Sequence, residues 1–274
     1  MRTRHRIAIP MFVFVLAFPS AAPAQEREQA LPPMTQRVAA RTLMYNALTP
    51  ERGPAIRLAI ELGPRASEEL KAAVIHAAWA EVRGEIDRPE ESEALFDYMW
   101  AAARLRDERA IPFLVRIMAH GPAAANALAD LGNAAFPQML EVVMNPDADG
   151  YGVDAGFRAI RFMYGDGSLT ERQVSLAREA ARERLSGTQA YPAIRGALEL
   201  AIVLLRAGDG DAELGRTVER LATDRATAEA LLLPEERTLV GHPRPDRPIE
   251  WVQEDARRWL TGEAIKPSRI PVSG

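Results

Sequence analysis

Apolar residues recur along this chain at intervals of three and four, the spacing of one face of an α-helix. Between Ser67 and Gly84 the apolar stripe consists of Leu70, Ala73, Val74, Ala77, Ala78 and Val82, with charged residues on the other side. From Met34 to Leu260, similar segments of roughly twelve to twenty residues follow one another, separated by Gly, Pro, Asp or Asn. No segment shows the alternation of a β-strand. The pattern predicts an all-α chain.

Three similar tripeptides each introduce an apolar helical segment. They are Ala110-Ile111-Pro112, Ala135-Phe136-Pro137 and Ala190-Tyr191-Pro192. Proline fits the first turn of a helix because the N–H it lacks would be unpaired there anyway. The tripeptides start 25 and 55 residues apart. This spacing predicts repeated helix pairs, with one unit degraded or inserted between the second and third copies.

Small residues fill the segment Ala123–Asn133, between the first two tripeptides. They let two helices approach closely while Leu128 and Leu131 fill the groove, and Gly132 can end the helix in a left-handed conformation. With Ala-x-Pro before and after it, this Ala-Leu-x-x-Leu-Gly sequence resembles the HEAT-like repeats of the phycobilisome-lyase type. The resemblance covers 107–145 most fully, and 191–224 and 53–84 less fully. It implies an armadillo-like α-solenoid of roughly six stacked antiparallel helix pairs with a concave binding surface.

The first residues have the three-part build of a secretory signal peptide. Arg2, Arg4 and Arg6 form a basic head, Ile7 to Phe18 an apolar run, and Ala22-Pro23-Ala24 a small-residue cleavage site. The apolar run is shorter than the roughly twenty residues that a membrane-spanning helix needs. We therefore expect cleavage after Ala24, a periplasmic or secreted protein, and no stable membrane span afterwards.

Composition divides the rest of the chain. We predict a flexible spacer at 25–33, a helical repeat domain at 34–240, a Pro-rich linker at 241–248, a capping helix at 249–260 and a flexible tail at 261–274. Within the repeat domain, the Gly- and Asp-rich stretch from Asn145 to Gly152 predicts a protruding loop.

Charge and cysteine content narrow the function classes. The formal net charge of −4 becomes −7 once the three leader arginines are removed, which argues against a nucleic-acid partner. The absence of cysteine excludes disulfides, a lipid attachment site and a thiol nucleophile. No Walker loop, dinucleotide fingerprint or nucleophile elbow occurs, so we expect no cofactor.

Metal and acid–base chemistry have few candidates. His76, His120 and His242 lack zinc-site spacing, so we expect no metal-binding role for them. Asp147, Asp149 and Asp154 alternate with glycine, as in a calcium loop, but the EF-hand register fails; a turn capped by aspartates is the favoured interpretation and calcium the other. The run Glu90, Glu91 and Glu93 fits the first turn of a helix that begins at Pro89.

Surface aromatic and arginine residues are the candidates for partner binding. We interpret Phe96 and Trp100 as packing residues, four apart on one helix face, and Tyr98, Arg104, Arg106 and Tyr151 as candidate partner contacts. The sequence favours a scaffold or adaptor that binds a protein partner through the concave surface. The alternative is a helical-toroid-type hydrolase or lyase using carboxylates from separate helices. A cleft holding two carboxylates would favour the enzyme, and a groove lined by arginine and aromatic residues would favour the scaffold.

Overall fold

The fold is all-helical. The computed structural model describes residues 34–45, 49–83, 91–237 and 247–262, and in these ranges the chain forms thirteen α-helices and no β-sheet. The helices are α1 (Gln36–Tyr45), α2 (Arg52–Leu62), α3 (Glu68–Val82), α4 (Glu91–Leu105), α5 (Ile111–Ile117), α6 (Pro122–Leu131), α7 (Phe136–Met144), α8 (Gly150–Gly165), α9 (Glu171–Arg184), α10 (Tyr191–Ala207), α11 (Ala212–Thr223), α12 (Arg225–Leu231) and α13 (Arg247–Thr261). The predicted all-α class is confirmed.

Several predictions concern residues outside the described ranges. These are the signal peptide and its cleavage site, the spacer up to Pro33, Glu90, His242, most of the Pro-rich linker and most of the tail. Helix α4 includes Glu91 and Glu93, but their side chains are not among those that the structure describes.

The helix starts predicted from the Ala-x-Pro tripeptides are confirmed. Helices α5, α7 and α10 begin at the second residue of each tripeptide, with proline in the first turn. Gly132 ends α6 with a positive φ of 57°, a conformation that costs glycine little. The apolar stripe predicted for 67–84 lies on α3 and faces the protein core, since Leu70, Ala73, Val74, Ala77 and Ala78 are buried. Helix positions in this chain thus follow local sequence signals.

Contacts between helices follow two rows. Consecutive helices pack in the pairs α1–α2, α3–α4, α5–α6, α7–α8 and α9–α10. In each pair the first helix also contacts the first helix of the next pair, from α1 through α3, α5 and α7 to α9, and we call this series row A. The second helices do the same, from α2 through α4, α6, α8 and α10 to α13, and we call this series row B. Buried apolar residues from helices of both rows form one core cluster.

Small residues let the row B helices lie close together. Every residue of α6 from Ala123 to Ala129 is buried. At the contact of α8 and α10, an added Cβ on Gly196 would lie only 2.8 Å from the Asp154 Cα and 3.2 Å from the Phe157 Cβ. Close approach of this kind brings polar side chains on facing helices within reach of one another.

Two predicted boundaries are wrong. The stretch from Asn145 to Gly152 is not all loop, because α8 begins at Gly150 and the Asp149 carboxylate accepts a hydrogen bond of 3.0 Å from the Gly152 N–H. The glycines that suggested a turn lie in the first turn of a helix capped by aspartate. Helix α13 likewise begins at Arg247 rather than at Ile249, since Pro248 fits its first turn.

Candidate binding groove

The first turns of α8, α10 and α13 surround a cavity of about 300 Å³. Its lining combines three aromatic side chains, three carboxylates and small or proline residues: Asp149, Gly150, Tyr151, Ala190, Tyr191, Pro192, Glu235, Glu236, Pro248 and Trp251. We call it the aromatic cavity. Its volume lies at the lower end of the range of small-ligand sites.

A smaller cavity of about 120 Å³ adjoins it, between α8 and the start of α6. Its lining includes Gly121, Pro122, Tyr151, Asp154 and Arg158. Tyr151 lines both cavities, and 62% of this residue is exposed. We call the two cavities together the edge groove. Tyr151 is thus an exposed aromatic residue shared by two adjacent depressions.

An ion pair joins α8 to α10 in the wall of the groove. Arg195 donates two hydrogen bonds to the Asp154 carboxylate, from Nε at 3.2 Å and from Nη2 at 2.6 Å, and Arg158 lies 3.5 Å from the same carboxylate. Asp154 is only 6% exposed. Its hydrogen bonds raise the pKa of the Arg195 guanidinium. Two-point contact fixes the orientation of both side chains, as is usual for arginine–carboxylate pairs.

A second polar contact joins α10 to α13. The Tyr191 hydroxyl donates a hydrogen bond of 2.8 Å to Asp255, and Arg258 lies 3.0 Å from the other carboxylate oxygen. Burial raises the pKa of Asp255, while Tyr191 and Arg258 act against that increase. Burial and the Asp255 charge raise the pKa of Tyr191, so its hydroxyl remains a proton donor over the physiological range.

A third pair completes this polar layer. Arg161 of α8, buried to 7% exposure, lies 3.2 Å from Glu199 of α10. Burial lowers the pKa of this guanidinium, and Glu199 offsets part of the effect. The carboxylates of Asp154, Glu199 and Asp255 therefore each have an arginine partner. Ion-paired carboxylates of this kind are suited to positioning, not to exchanging protons with a substrate.

Aromatic rings form one wall of the aromatic cavity. The rings of Tyr191 and Trp251 have centroids 5.2 Å apart and are inclined at 38°. The Arg247 guanidinium lies 5.8 Å from the Trp251 ring centroid and pairs with Glu254 at 2.8 Å. One face of this wall is already in contact with a cation from the chain itself.

The predicted partner contacts do not come together. Tyr151 lines the edge groove, whereas Tyr98, Arg104 and Arg106 line neither of its cavities. Arg106 is exposed and has a positive φ of 49°, and Arg104 is half-buried.

The expectation that Tyr98 lies at the surface is wrong, because its exposed fraction is 0%. It shares a buried face of α4 with Ala101, Ala102 and Leu105, at helical spacings of three, four and seven. Phe96, interpreted as a packing residue, is instead 41% exposed. The pair Phe96 and Trp100 suggested a different face of α4 as the buried one.

Sequence reasoning missed Asp154, Tyr191 and Trp251 as groove residues, and Arg195 and Asp255 as their partners. A signal was present: polar residues recur at helical spacing inside two apolar helices. The positions are 154, 158 and 161 in α8, and 191, 195 and 199 in α10. A polar stripe on a helix that is otherwise buried marks a face that packs against other polar groups or lines a cavity.

The predicted calcium and histidine features do not form a common site. Asp147 and Asp149 are exposed at the start of α8, whereas Asp154 is buried and paired with Arg195. His76 and His120 are exposed and lie on different elements. In the described part of the chain, no three acidic or histidine side chains are grouped closely enough to hold a metal ion.

No helix within the described ranges has both the length and the apolar composition needed to cross a membrane. Comparisons with protein-family models, with curated proteins and with solved structures found no match to this chain. Inferences about function therefore rest on the geometry of the edge groove.

Proposed function

We propose that this chain is an exported HEAT-like α-solenoid that acts as a scaffold or adaptor, binding a protein partner at the edge groove. The two rows support the solenoid, because stacked helix pairs contact their neighbours through like helices. Repeated Ala-x-Pro helix starts in α5, α7 and α10 support a common repeat unit. The solenoid would present the first turns of the row B helices as a continuous binding edge.

The binding role is supported mainly by the exposed position of Tyr151 in the groove. Tyr151 is the most exposed aromatic residue in the groove and lines both cavities, one of which also has the ion-paired Asp154 in its wall. Aromatic and arginine residues that lie near pockets contribute much of the free energy of protein–protein binding. Side chains already held by ion pairs, such as Asp154, lose less conformational entropy when a partner binds. The groove therefore fits a peptide segment or loop of a partner.

The alternative enzyme, a hydrolase or lyase, receives less support. Its carboxylates would come from separate helices, and α8, α10 and α13 do supply Asp154, Glu199 and Asp255. Each of these has an arginine partner within 3.2 Å. Pairing with arginine opposes the proton exchange that a general acid or base needs, although at Asp255 burial outweighs the pairing and raises the pKa. The aromatic cavity itself is lined by three carboxylates, but two of them, Asp149 and Glu236, accept hydrogen bonds from backbone N–H groups at helix starts and so have a structural role.

Site-specific photo-crosslinking in the native host tests the binding role. A photoreactive phenylalanine analogue replaces Tyr151 in one variant and Ala207, an exposed residue at the far end of α10, in the control variant. We expect a defined protein adduct from position 151 and none from position 207. The same adducts from both positions, or none from either, would argue against a partner site in the groove.

Export is tested separately by the mass of the protein isolated from its host. We expect the envelope or medium fraction to contain a chain that begins at Gln25, after removal of the predicted leader. A chain that retains Met1 and fractionates with cytosolic proteins would contradict export without bearing on the groove.

A further inference from the structure

We propose that the aromatic cavity binds a cationic group, an alkylammonium or guanidinium, presented by the partner as a Lys or Arg side chain. The inference rests on the proposed function for the source of the cation, but the recognition itself follows from the cavity. Three aromatic side chains and three carboxylates line it, and no lysine or arginine among the described residues does.

Three aromatic residues favour binding of a cation in the cavity. Tyr151, Tyr191 and Trp251 provide π surfaces around one space of about 300 Å³. Aromatic faces attract cations through the ring quadrupole, and Trp does so most strongly. The chain uses this property itself, since its own guanidinium at position 247 lies 5.8 Å from the Trp251 ring centroid. A cation in the cavity would be attracted in the same way by the rings of Tyr151 and Tyr191.

The carboxylates set the sign of the charge that the cavity accepts. Asp149 accepts a hydrogen bond of 3.0 Å from the first turn of α8, and Glu236 accepts one of 2.6 Å from the Tyr191 N–H at the start of α10. These carboxylates occupy N–H donors that an anionic ligand would otherwise use. At these two of its three helix N-termini, the cavity is therefore a poor anion site.

Glu235 supplies the remaining charge. It is exposed at the cavity rim and, among the described residues, makes no hydrogen bond or ion pair. An ammonium or guanidinium group in the cavity would pair with this carboxylate while its alkyl stem packs on the rings. Neutral and anionic side chains gain only the apolar part of this contact.

Nuclear magnetic resonance of the purified protein provides a direct test. The probes are two short peptides that differ only in one side chain, lysine in one and acetyl-lysine in the other. The indole N–H of Trp251, assigned through Trp251→Phe, reports occupancy of the cavity. We expect saturable shifts with the lysine peptide and much smaller shifts with the acetylated peptide. Equal shifts from both peptides would overturn the proposal.

Two variants locate the effect. Glu235→Gln should weaken binding of the lysine peptide about threefold, as expected for loss of one exposed charge pair, and Tyr151→Leu should do the same by loss of a ring face. The control is Glu213→Gln, which makes the same charge change at an exposed residue of α11 outside the cavity, and it should leave affinity unchanged. Equal affinities for wild type and both groove variants would contradict the site.

The peptide titration and the crosslinking experiment test the cation site and the protein-binding role independently. A crosslinked partner at position 151, together with absence of lysine-peptide binding, would keep the scaffold and overturn the cation site. Lysine-peptide binding without a crosslinked partner would keep the cation site and argue against the scaffold.

Discussion

At the scale of single residues, Gly196 sets the distance between α8 and α10. Any side chain there would contact the backbone of α8, which cannot move away as a flexible side chain can. The Asp154–Arg195 pair lies at this contact, with a shortest distance of 2.6 Å. The polar layer of the groove therefore depends on a residue that carries no side chain.

Replacing Gly196 with alanine should destabilise the protein by about 1–3 kcal/mol, because a methyl group is forced into a filled contact. The measurement is denaturant unfolding followed by circular dichroism. Gly165→Ala is the matched control. Gly165 is the last residue of α8, and a Cβ added there would have nothing within 4 Å. Its effect should be neutral or slightly stabilising. Equal losses in the two variants would show that the interhelix contact is not the cause.

Exposure of single aromatic residues was only partly predictable from the sequence. Tyr151 was predicted to lie at the surface and does. Tyr98 was also predicted to lie at the surface but is buried. Two apolar stripes compete on α4, and the sequence does not say which one neighbouring helices cover. Helix α4 contacts α2, α3 and α6, so its Tyr98 face is enclosed by other helices. Burial at such positions is decided by tertiary contacts, not by local periodicity.

At the scale of elements, helix ends carried the most reliable information. Proline placed the starts of α5, α7 and α10 correctly because it acts through local backbone geometry. Glycine was less informative: Gly132 ends a helix, whereas Gly150 begins one behind the Asp149 cap. The edge groove was not predictable from such signals, since it joins first turns that are distant in sequence.

Arg184 of α9 connects the C-terminal end of α7 to the loop between α9 and α10. Its Nε donates a hydrogen bond of 2.6 Å to the Val143 carbonyl of α7, its Nη1 donates one of 2.6 Å to the Gln189 side chain, and its Nη2 donates one to the Asn145 carbonyl. The residue is 4% exposed, and burial lowers the pKa of its guanidinium. It donates to the Val143 carbonyl at the C-terminus of α7, where helix geometry leaves carbonyl groups without partners, and to the Asn145 carbonyl, which also accepts a hydrogen bond of 3.1 Å from the Ala148 N–H.

Replacing Arg184 with methionine should cost about 1–3 kcal/mol in unfolding free energy, since the carbonyl of buried Val143 loses the Arg184 donor, whereas the Asn145 carbonyl keeps a backbone N–H donor. The control is Arg182→Met on the same helix, where a partly exposed ion pair with Asp211 is lost. That change should cost less than about 1 kcal/mol. Comparable losses in the two variants, measured by thermal and denaturant unfolding, would contradict the role assigned to Arg184.

Asp211 caps α11 and offers a test by pH. Its carboxylate accepts a hydrogen bond of 2.8 Å from the Leu214 N–H, which together with Arg182 and Arg178 lowers its pKa. A lowered pKa in the folded state means that the carboxylate stabilises the fold above its ordinary pKa of 3.8 and that this contribution is lost as the pH falls through the folded value.

Asp211→Ala should cost about 1 kcal/mol at neutral pH, the usual value of an N-cap. Asp211→Asn keeps a capping side chain and should cost only a few tenths of a kcal/mol, the value of the lost exposed charge pair. Unfolding measured at a series of pH values should show the difference between wild type and Asp211→Asn disappearing below 3.8. A difference that persists in acid would exclude the charge as its source.

At the scale of the whole molecule, the proposed solenoid predicts a particular distribution of stability. In a stack of helix pairs each pair contacts only its neighbours, so a local loss of packing weakens nearby pairs and leaves distant ones unchanged. In a domain with one shared core, the same loss raises the opening rate everywhere. Helices α1 and α13 lie at the two ends of the helix order and carry buried apolar side chains suited to this comparison.

Leu43 of α1 and Val252 of α13 are buried to 1% and 0% exposure, respectively. Replacing either with alanine removes apolar contacts and leaves a cavity, at a cost of about 1–4 kcal/mol. Hydrogen exchange followed by mass spectrometry should then show faster exchange in α1–α4 for Leu43→Ala, and in α10–α13 for Val252→Ala, with the opposite end unchanged in each case. Each variant serves as the control for the other. Uniform acceleration by both would contradict the solenoid. It would leave the edge groove intact as a binding site, because the ion pairs and aromatic wall of that groove belong to α8, α10 and α13 in either case.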